Sequence, residues 1–569
     1  MSMRDPFQKF SMRPAAGTRK VRSFLDFVTS TSDTADHTDA FILAAAASAA
    51  EGFDVEIPGG TWNYSASIPG WARSIRGAGR SVCKVFYRLD PTVAGNNCLF
   101  ADMSSASDIE ISGIDFSVPL TPTGAVNDAT ENKAILRLTN CANAHVVGVD
   151  FRNSYGTAVL MRGVAMGSIR RSRTFNSRKD SFHITGLSRD IQRVGCLVEA
   201  GGDDAFPVVG YASGGTVGRP VNITDIANVV RGLRTGRGFA YVGSSGCINI
   251  DGRVDGTTPA GYSTTATQHA YAGLYIASES SFDTFGNDDL TIIGMNIANC
   301  GSSDSSLNSI HIIGRSAQTS RNITLRDVTV SRSARMGLFA NGGSGLENLR
   351  LEGITIDDNT DLNARIGTAG AGSASGIEVQ ATDGVFIRGN LKNIGGYGVM
   401  VTANCTGNID VDVATSEVNK SGTAGNDIVQ VAAGSQAREI SISLDIKAQT
   451  ANIDRIIECV NPGKVRKLKV TGVQFDRRVI TGTSGGMEQT ITVGASPFVY
   501  ENTGNQARIV RVTGGTVSSI EAAAFTGIAT PYWGTLTSRT AGLFTVEPGC
   551  ALRVNYSSAP SMSWNPTSC

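Results

Sequence analysis

Three aspartates, brought to one point by two similar segments of the chain, are the residues best suited to chemistry. Asp180 lies in Lys-Asp-Ser-Phe-His-Ile, and Asp203 and Asp204 lie in Gly-Gly-Asp-Asp-Ala-Phe-Pro-Val. The segments align on Phe182 and Phe206. In this alignment Asp180 and Asp204 share one position, which predicts two carboxylates roughly 5 Å apart on adjacent strands. Like charges this close raise at least one pKa, and such carboxyl groups serve glycoside hydrolysis.

Other aspartates of the chain fit a simpler interpretation. A single aspartate in a turn usually caps backbone amides, and this is expected for Asp108, Asp327 and Asp357. The acid cluster differs because two segments repeat an acid at one position. Gly201 and Gly202 also predict open space beside it.

Residues at equivalent positions of the neighbouring segments extend the candidate site. Arg237 takes the position of Asp204 in the next segment, where an ion pair to Asp204 and a contact to an anionic sugar are both open. Glu279 is a further candidate acid or substrate contact. The candidate substrate-binding residues are Arg237, His183, Tyr211, Tyr275 and His311. Flat apolar surfaces for sugar stacking are expected from Tyr211, Tyr275, Phe282 and Trp71.

A repeat from about residue 105 to 482 must position these side chains. Short runs of alternating apolar residues recur at roughly two dozen to forty residues, as in SDIEISGIDF, RNITLRDVTV and LENLRLEGITI. Alternation at period two predicts strands, and a fixed order of strands at such intervals predicts a solenoid. Two inward columns are expected, one of Phe182, Phe206, Phe239, Leu274 and Ile310, the other of Ile184, Val208, Tyr241, Ile276 and Ile312.

The ends of the chain differ from this repeat. Residues 23–104 contain an Ala-rich helix and the strand VEIPGGTW, which predict an N-terminal cap and the first coils. Residues 483–569 alternate short strands with turn residues, the pattern of a small β-sandwich. The basic stretch 1–22 is either a docking peptide or a frayed tail.

Composition excludes several classes of protein. The 569 residues include 66 Gly, 50 Lys+Arg and 50 Asp+Glu, so zero net charge gives no reason to expect a nucleic acid or an anionic membrane as partner. No apolar stretch predicts a membrane span or signal peptide, so synthesis in the cytoplasm is expected. The ten Cys are spread singly, which predicts buried thiols rather than a zinc site. Neither metal nor cofactor is expected.

The order KDSFHI, GGDDAFPV, GRGFAYVGSSG resembles the polygalacturonase-type glycoside hydrolases over about 60 residues. The resemblance implies Asp203 as general acid, with Asp180 and Asp204 activating water. The family's His is Arg237 here, and its Arg and Lys fall on Tyr275 and Ala277. A glycan other than polygalacturonate is therefore expected.

The helix followed by Ile-Pro-Gly-Gly-Thr-Trp, and the C-terminal strands, resemble the caps of phage tailspikes and tail fibres. The expected fold is all-β, a right-handed single-stranded parallel β-helix forming a homotrimer through residues 483–569. The implied function is binding and hydrolysis of bacterial surface polysaccharide from a virion, with residues 1–22 docking to a tail or baseplate protein. A polysaccharide lyase and a non-catalytic receptor-binding spike are the alternatives.

Overall fold

The computed structural model describes two compact units, residues 1–329 and 330–569. The described residues are 19–93, 95–119, 133–214, 216–233, 236–257, 272–301, 308–333, 335–357, 375–402, 404–419, 427–432, 435–449, 456–459, 464–472, 480–481, 489–502, 508–524, 534–537, 541–547 and 550–566. The proposed docking peptide 1–22 lies mostly outside them.

The first unit begins with a helical cap. After the 3₁₀ helix Phe24–Phe27, the α-helix Thr38–Glu51 starts where Asp36 accepts a hydrogen bond from the Thr38 N–H. It ends at Gly52, whose φ of 76° suits a residue without Cβ. Phe41 of this helix stacks on Phe24 at 4.2 Å between ring centroids, which closes the apolar interior at this end.

Each coil of the first unit carries three strands. The first strand belongs to a parallel sheet, the front sheet, whose strands in this unit are Ala101–Ser104, Leu136–Thr139, Val159–Arg162, Phe182–Thr185, Phe206–Val209, Arg237–Val242, Ala272–Ala277 and Ile310–Ile313. The second strands are Ser107–Ser112, Ala142–Val147, Ala165–Arg170, Arg189–Val194, Val221–Ile226, Ile248–Ile250, Thr291–Ile293 and Ser320–Arg326. The third strands are Asp115–Ser117, Asp150–Arg152, Arg173–Phe175, Leu197–Gly201, Val229–Leu233, Arg253–Asp255, Asn296–Ala298 and, at the boundary of the units, Thr329–Ser331. The cap adds Val21–Ser23, Asp54–Ile57, Gly60–Tyr64, Ile75–Gly77 and Cys83–Tyr87.

The register of the front sheet confirms the predicted inward columns. Phe206 pairs with Phe239, Phe239 with Leu274, and Leu274 with Ile310. The Phe206 and Phe239 rings stack at 4.8 Å between centroids, and both side chains are fully buried. The core therefore runs along the inside of the coils, as the alternation predicted.

The second unit contains further parallel coils and a separate sandwich. Its short strands are Leu338–Asn341, Ile377–Gln380, Val399–Val401, Val429–Val431, Ile457–Cys459 and Ile480–Thr481. Its long strands are Leu346–Asp357, Asp383–Lys392, Thr406–Ser416, Glu439–Ala448 and Val465–Gly472.

Two antiparallel four-stranded sheets form the sandwich. One contains Gln489–Ile491, Ser561–Pro566, Arg508–Thr513 and Gly542–Val546, and the other Phe498–Glu501, Cys550–Ser558, Thr516–Ala524 and Gly534–Thr537. Val510, Ile520 and Val554 are buried between them. The predicted fold, a right-handed parallel β-helix with a helical N-terminal cap and a small C-terminal β-sandwich, is confirmed.

Two further features of the described residues are the burial of their cysteines and the character of their helices. Nine described cysteines carry free thiols, and eight of them are buried, while Cys569 lies outside the described residues. Burial raises the pKa of the Cys83 thiol to about 12, so this thiol is unreactive. Among the described residues, none of the helices has the length and apolar character needed to cross a bilayer.

Candidate functional site

The candidate acids lie in the turns that lead into the front sheet. Asp203 and Asp204 follow the third strand Leu197–Gly201 and precede Phe206–Val209. Ala205, between Asp204 and the inward Phe206, is itself fully buried. Because two consecutive residues face inward, the acid before them is turned outward.

Glycine explains how the same turn is formed one coil later. A Cβ on Gly238 would lie 2.7 Å from Cγ2 of Val254 inside the coil, so only glycine fits before the inward Phe239. A Cβ on Gly236 would lie 2.2 Å from the Asp203 carbonyl oxygen. These glycines allow close stacking of the turns that carry Asp203 and Arg237.

Asp180 and Asp204 are linked across adjacent coils. The Asp204 backbone N–H donates a hydrogen bond of 3.2 Å to Oδ1 of Asp180. Nδ1 of His183 lies 2.7 Å from the other oxygen, Oδ2. The exposed fractions of Asp180, His183 and Asp204 are only 7%, 3% and 4%. His183, predicted as a substrate contact, is thus a buried residue beside Asp180 that also lines the site.

Arg237 ties Asp204 to Glu279. Its Nε lies 2.7 Å from Oδ1 of Asp204, and its backbone N–H donates to the same oxygen over 3.0 Å. Its Nη1 lies 3.0 Å from Oε1 of Glu279, and Cζ stands 4.3 Å above the Tyr275 ring. Of the two roles left open for Arg237, the ion pair to Asp204 is formed, and a contact to an anionic sugar stays a prediction.

The pKa of the Asp203 carboxyl group is raised far above its ordinary value. Burial, and then the charges of Asp180 and Asp204, raise the pKa of its carboxyl to about 8, although Arg237 and Lys179 oppose the rise. Its Oδ2 lies 3.6 Å from Nζ of Lys179. With its side chain 29% exposed, Asp203 is the most accessible of the three aspartates. At neutral pH it retains a proton that it could donate.

The pKa of Asp204 is also raised, but Arg237 opposes this rise through direct contact. Burial raises its pKa, and the nearby Asp180 adds to the rise, whereas Arg237 acts in the opposite direction through charge and hydrogen bonds. The two neighbouring aspartates of one turn therefore differ in environment. The Lys179 ammonium lies 3.6 Å from Asp203, whereas the Arg237 guanidinium lies 2.7 Å from Asp204 and donates a hydrogen bond to it.

These residues line a cleft of about 480 Å³ on the outer face of the front sheet. Asp180, Asp203, Asp204, Arg237, Glu279, His183 and Tyr211 all line it. Phe282, 57% exposed, lies on the same cleft and offers an apolar face to a sugar. Tyr211 is held at the rim, where it forms isolated bridges with Val217 and Thr284.

Four predictions made from the sequence are not met by the structure. Trp71 is 1% exposed and its indole N–H donates to the Phe100 carbonyl, so its predicted role as a sugar platform is wrong. Tyr275 and His311 occupy the predicted outward column, but they are 6% and 4% exposed, and their tilted rings lie 5.9 Å apart between centroids. Neither lines the cleft among the described residues. Gly202 leaves no open space, since its Cβ would lie 2.3 Å from the Arg178 carbonyl oxygen.

Two cations of the cleft were missed by sequence reasoning. Lys179 is 5% exposed and directly precedes Asp180, so its position in the same turn was the available signal. Arg162 ends a front-sheet strand and pairs in register with Thr185. Its Nε is buried and has no hydrogen-bond partner among the described residues. No sequence signal distinguished Arg162 from other surface arginines.

The acid cluster has the donor spacing of a cation site. Asp180, Asp203 and Asp204 each offer an oxygen, and these lie within 4.8 Å of one another. Carboxylate oxygens are the ligands that calcium prefers. Lys179 and Arg237, however, already contribute positive charge here, and a metal ion would compete with them for Asp203 and Asp204.

The fold of this chain is similar to those of several solved structures. No protein-family model matches the chain, and no curated protein matches it. It is similar to the catalytic unit of a thermostable GH87 α-1,3-glucanase from Streptomyces thermodiastaticus strain HF3-3, at 12% identity over 82% of this chain and 70% of that one, with a TM-score of 0.47. It is also similar to the tailspike protein of E. coli bacteriophage HK620 in complex with pentasaccharide, at 9% identity over 96% of this chain and 93% of that one, with a TM-score of 0.48.

Proposed function

We propose that this protein hydrolyses glycosidic bonds of a bacterial surface polysaccharide in the cleft of the acid cluster. The observation that carries the proposal is the environment of Asp203. Its carboxyl group, with a pKa raised to about 8, lies beside two further carboxylates in an open cleft with an exposed aromatic side chain. Glycoside hydrolysis requires one carboxyl group that donates a proton and a second one close to it.

The step assigns a role to each acid. The Asp203 proton passes to the glycosidic oxygen while the bond from that oxygen to the anomeric carbon breaks. Water attacks the anomeric carbon, and its proton passes to the carboxylate of Asp180 or Asp204. Arg237 and His183 hold these two carboxylates in place.

The spacing of the carboxyl groups and their burial favour different stereochemical outcomes of the hydrolysis. Carboxyl groups about 5 Å apart are typical of retaining enzymes, in which a carboxylate attacks the sugar directly. Asp180 and Asp204 are instead nearly buried and paired, so we favour attack by a water held on them, with inversion. The anomeric configuration of the first product, followed by NMR, tests this assignment.

The biological setting rests on the caps. Residues 23–104 and 483–569 resemble those of phage spikes, and we propose a virion-borne homotrimer assembled through the C-terminal sandwich, with residues 1–22 docking to a tail or baseplate protein. The molar mass of the purified chain in solution tests the trimer. A monomer would contradict it.

The decisive experiment incubates the full-length protein with capsule, exopolysaccharide and O-antigen preparations and measures reducing ends. Release of reducing ends without ultraviolet-absorbing products is expected. Products that absorb in the ultraviolet would indicate an unsaturated uronate and hence a lyase. Binding without release would identify a receptor-binding spike without catalysis.

A further inference from the structure

A polar segment interrupts an otherwise apolar inward column in the coils that carry the acid cluster. One inward column of the second strands runs Ile111, Val146, Ile169, Arg193, Asp225, Asn249, Ile292 and Leu325. The three polar members follow one another on successive coils. These coils are the ones that begin with the front-sheet strands next to Asp180, Asp204 and Arg237.

Arg193 and Asp225 form a completely buried ion pair. Nε of Arg193 lies 2.7 Å from Oδ1 of Asp225, and Nη2 lies 2.8 Å from Oδ2. The Tyr241 hydroxyl donates to Oδ2 over 2.6 Å, and Asn228 donates to Oδ1 over 2.9 Å. Such a pair is costly to bury and gives weak evidence of stabilisation by itself. Its position therefore requires another explanation.

The remaining Arg193 donors reach the backbone of the front sheet. Nη1 donates to the Phe182 carbonyl over 2.7 Å and to the Pro207 carbonyl over 3.1 Å, while Nη2 donates to the Phe206 carbonyl over 3.3 Å. A side chain from the opposite wall thus binds two consecutive front-sheet strands. These strands directly follow Asp180 and Asp204.

Pro207 explains why the Phe182 carbonyl needs a donor. In a parallel pair, the carbonyl of Phe182 would accept a bond from the N–H of the residue after Phe206. That residue is Pro207, which has no N–H, and proline is rarely tolerated inside a sheet for this reason. The Ser181 and Phe182 N–H groups still donate to the Asp204 and Ala205 carbonyls, but the paired register of these strands starts only at Ile184 with Val208. In the two neighbouring strand pairs the register already includes Phe182, which pairs with Val159, and Phe206, which pairs with Phe239.

We propose that Arg193 is a positioning residue of the acid cluster: it replaces the backbone donor that Pro207 removes, and so fixes the spacing of the coils that carry Asp180 and Asp204. Asp225 and Tyr241 keep the guanidinium charged and oriented inside the core. A hydrogen bond from a charged donor compensates a missing ladder bond. The inference deepens the proposed function, but its structural half can be tested without a substrate.

The structural test is a double-mutant cycle on thermal unfolding of the full chain. Pro207→Ala restores the N–H, so the Phe182 carbonyl regains a ladder donor. We expect Arg193→Gln to lower the melting temperature less in the Pro207→Ala background than in the wild type. Asp225 loses its partner in both backgrounds, so that cost cancels in the cycle. Equal losses in both backgrounds would overturn the proposal, and Arg193→Lys gives the same comparison if Arg193→Gln does not fold.

The positioning test uses the pH profile of polysaccharide cleavage. If Arg193→Gln relaxes the spacing of the acids, the basic limb of the profile, which is the decline of cleavage at high pH set by Asp203, should move to lower pH. Turnover should also fall by up to about 100-fold, as for other small misplacements. Ile169→Ala, one coil earlier in the same inward column, is the matched control and should lower stability without moving this limb. An unmoved limb in Arg193→Gln overturns the positioning role. If no glycan is cleaved at all, the proposed function fails while the unfolding cycle still decides the role of Arg193.

Discussion

The backbone N–H of Asp204 donates a 3.2 Å hydrogen bond to the Asp180 carboxylate on the coil below. Arg237, one coil above, repeats the relationship by donating its N–H to Asp204 over 3.0 Å. Asp180 and Asp204 are therefore each held by the backbone of the next coil, and the spacing of these two acids follows from the stacking of the coils. Changing one carboxyl group to an amide should leave this scaffold in place.

The first prediction concerns the general acid. Asp203→Asn keeps the shape of the side chain but removes the transferable proton, so we expect the rate of reducing-end release to fall by about 100-fold to 10,000-fold. Asp327→Asn is the matched control, because Asp327 lies on the outside of a turn with a φ of 54° that asparagine also adopts. The control should retain full activity. Comparable activity in Asp203→Asn would remove Asp203 from the mechanism.

The second prediction is a basic limit to activity. Asp203 acts only when protonated, and its pKa is raised to about 8, so cleavage should decline as the pH rises through about 8. Lys179 lies 3.6 Å away and lowers this pKa. In Lys179→Gln the decline should therefore occur at higher pH. A profile of kcat against pH checks both statements, and a limb that moves downward would contradict the assignment.

The third prediction links the same carboxyl group to stability. In the folded chain Asp203 holds its proton up to a pH of about 8, compared with an ordinary value of 3.8. Between these values the folded state binds more protons than the unfolded state, so the free energy of unfolding falls as the pH rises. Asp203→Asn lacks this penalty. Its melting temperature should match that of the wild type near pH 4 and exceed it increasingly up to a pH of about 8.

The fourth prediction concerns the counter-charge of Asp204. Arg237→Met leaves Asp204 buried without its ion pair, and breaking a buried pair costs about 3–5 kcal/mol. The pKa of Asp204 should also rise further, since Arg237 opposes the rise. The double variant Arg237→Met with Asp204→Asn should regain stability but not activity. Thermal unfolding and reducing-end assays separate the two effects, and an inactive, fully stable single variant would contradict the argument.

The sequence predicted the architecture of the site because each coil repeats a local pattern. A small residue before an inward aromatic one, as in Ala205 and Phe206, turns the preceding side chain outward, and aligning these pairs placed Asp180 and Asp204 together. The inward columns followed from the same alternation.

What could not be predicted depends on contacts between distant residues. Trp71 is buried against Phe100, 29 positions away, and donates a hydrogen bond to its carbonyl. Tyr275 is covered by Arg237, which is directed there by Glu279. Column position indicates which face a side chain occupies but not what lies over it. The burial of Tyr275 and His311 was therefore beyond reach of the alignment.

The fifth prediction concerns Arg162, a cleft residue away from the acid cluster. The other cations of the cleft, Lys179 and Arg237, are paired with carboxylates. Arg162 lines the cleft and forms no ion pair among the described residues, and guanidinium groups bind carboxylates in a bidentate manner. We therefore expect Arg162→Gln to raise the KM for an acidic polysaccharide by about tenfold with little change in kcat, since the group binds substrate equally before and during reaction. Chemical reduction of the glycan's carboxyl groups should abolish the difference between the two proteins. A loss in kcat alone would instead assign Arg162 to the chemical step.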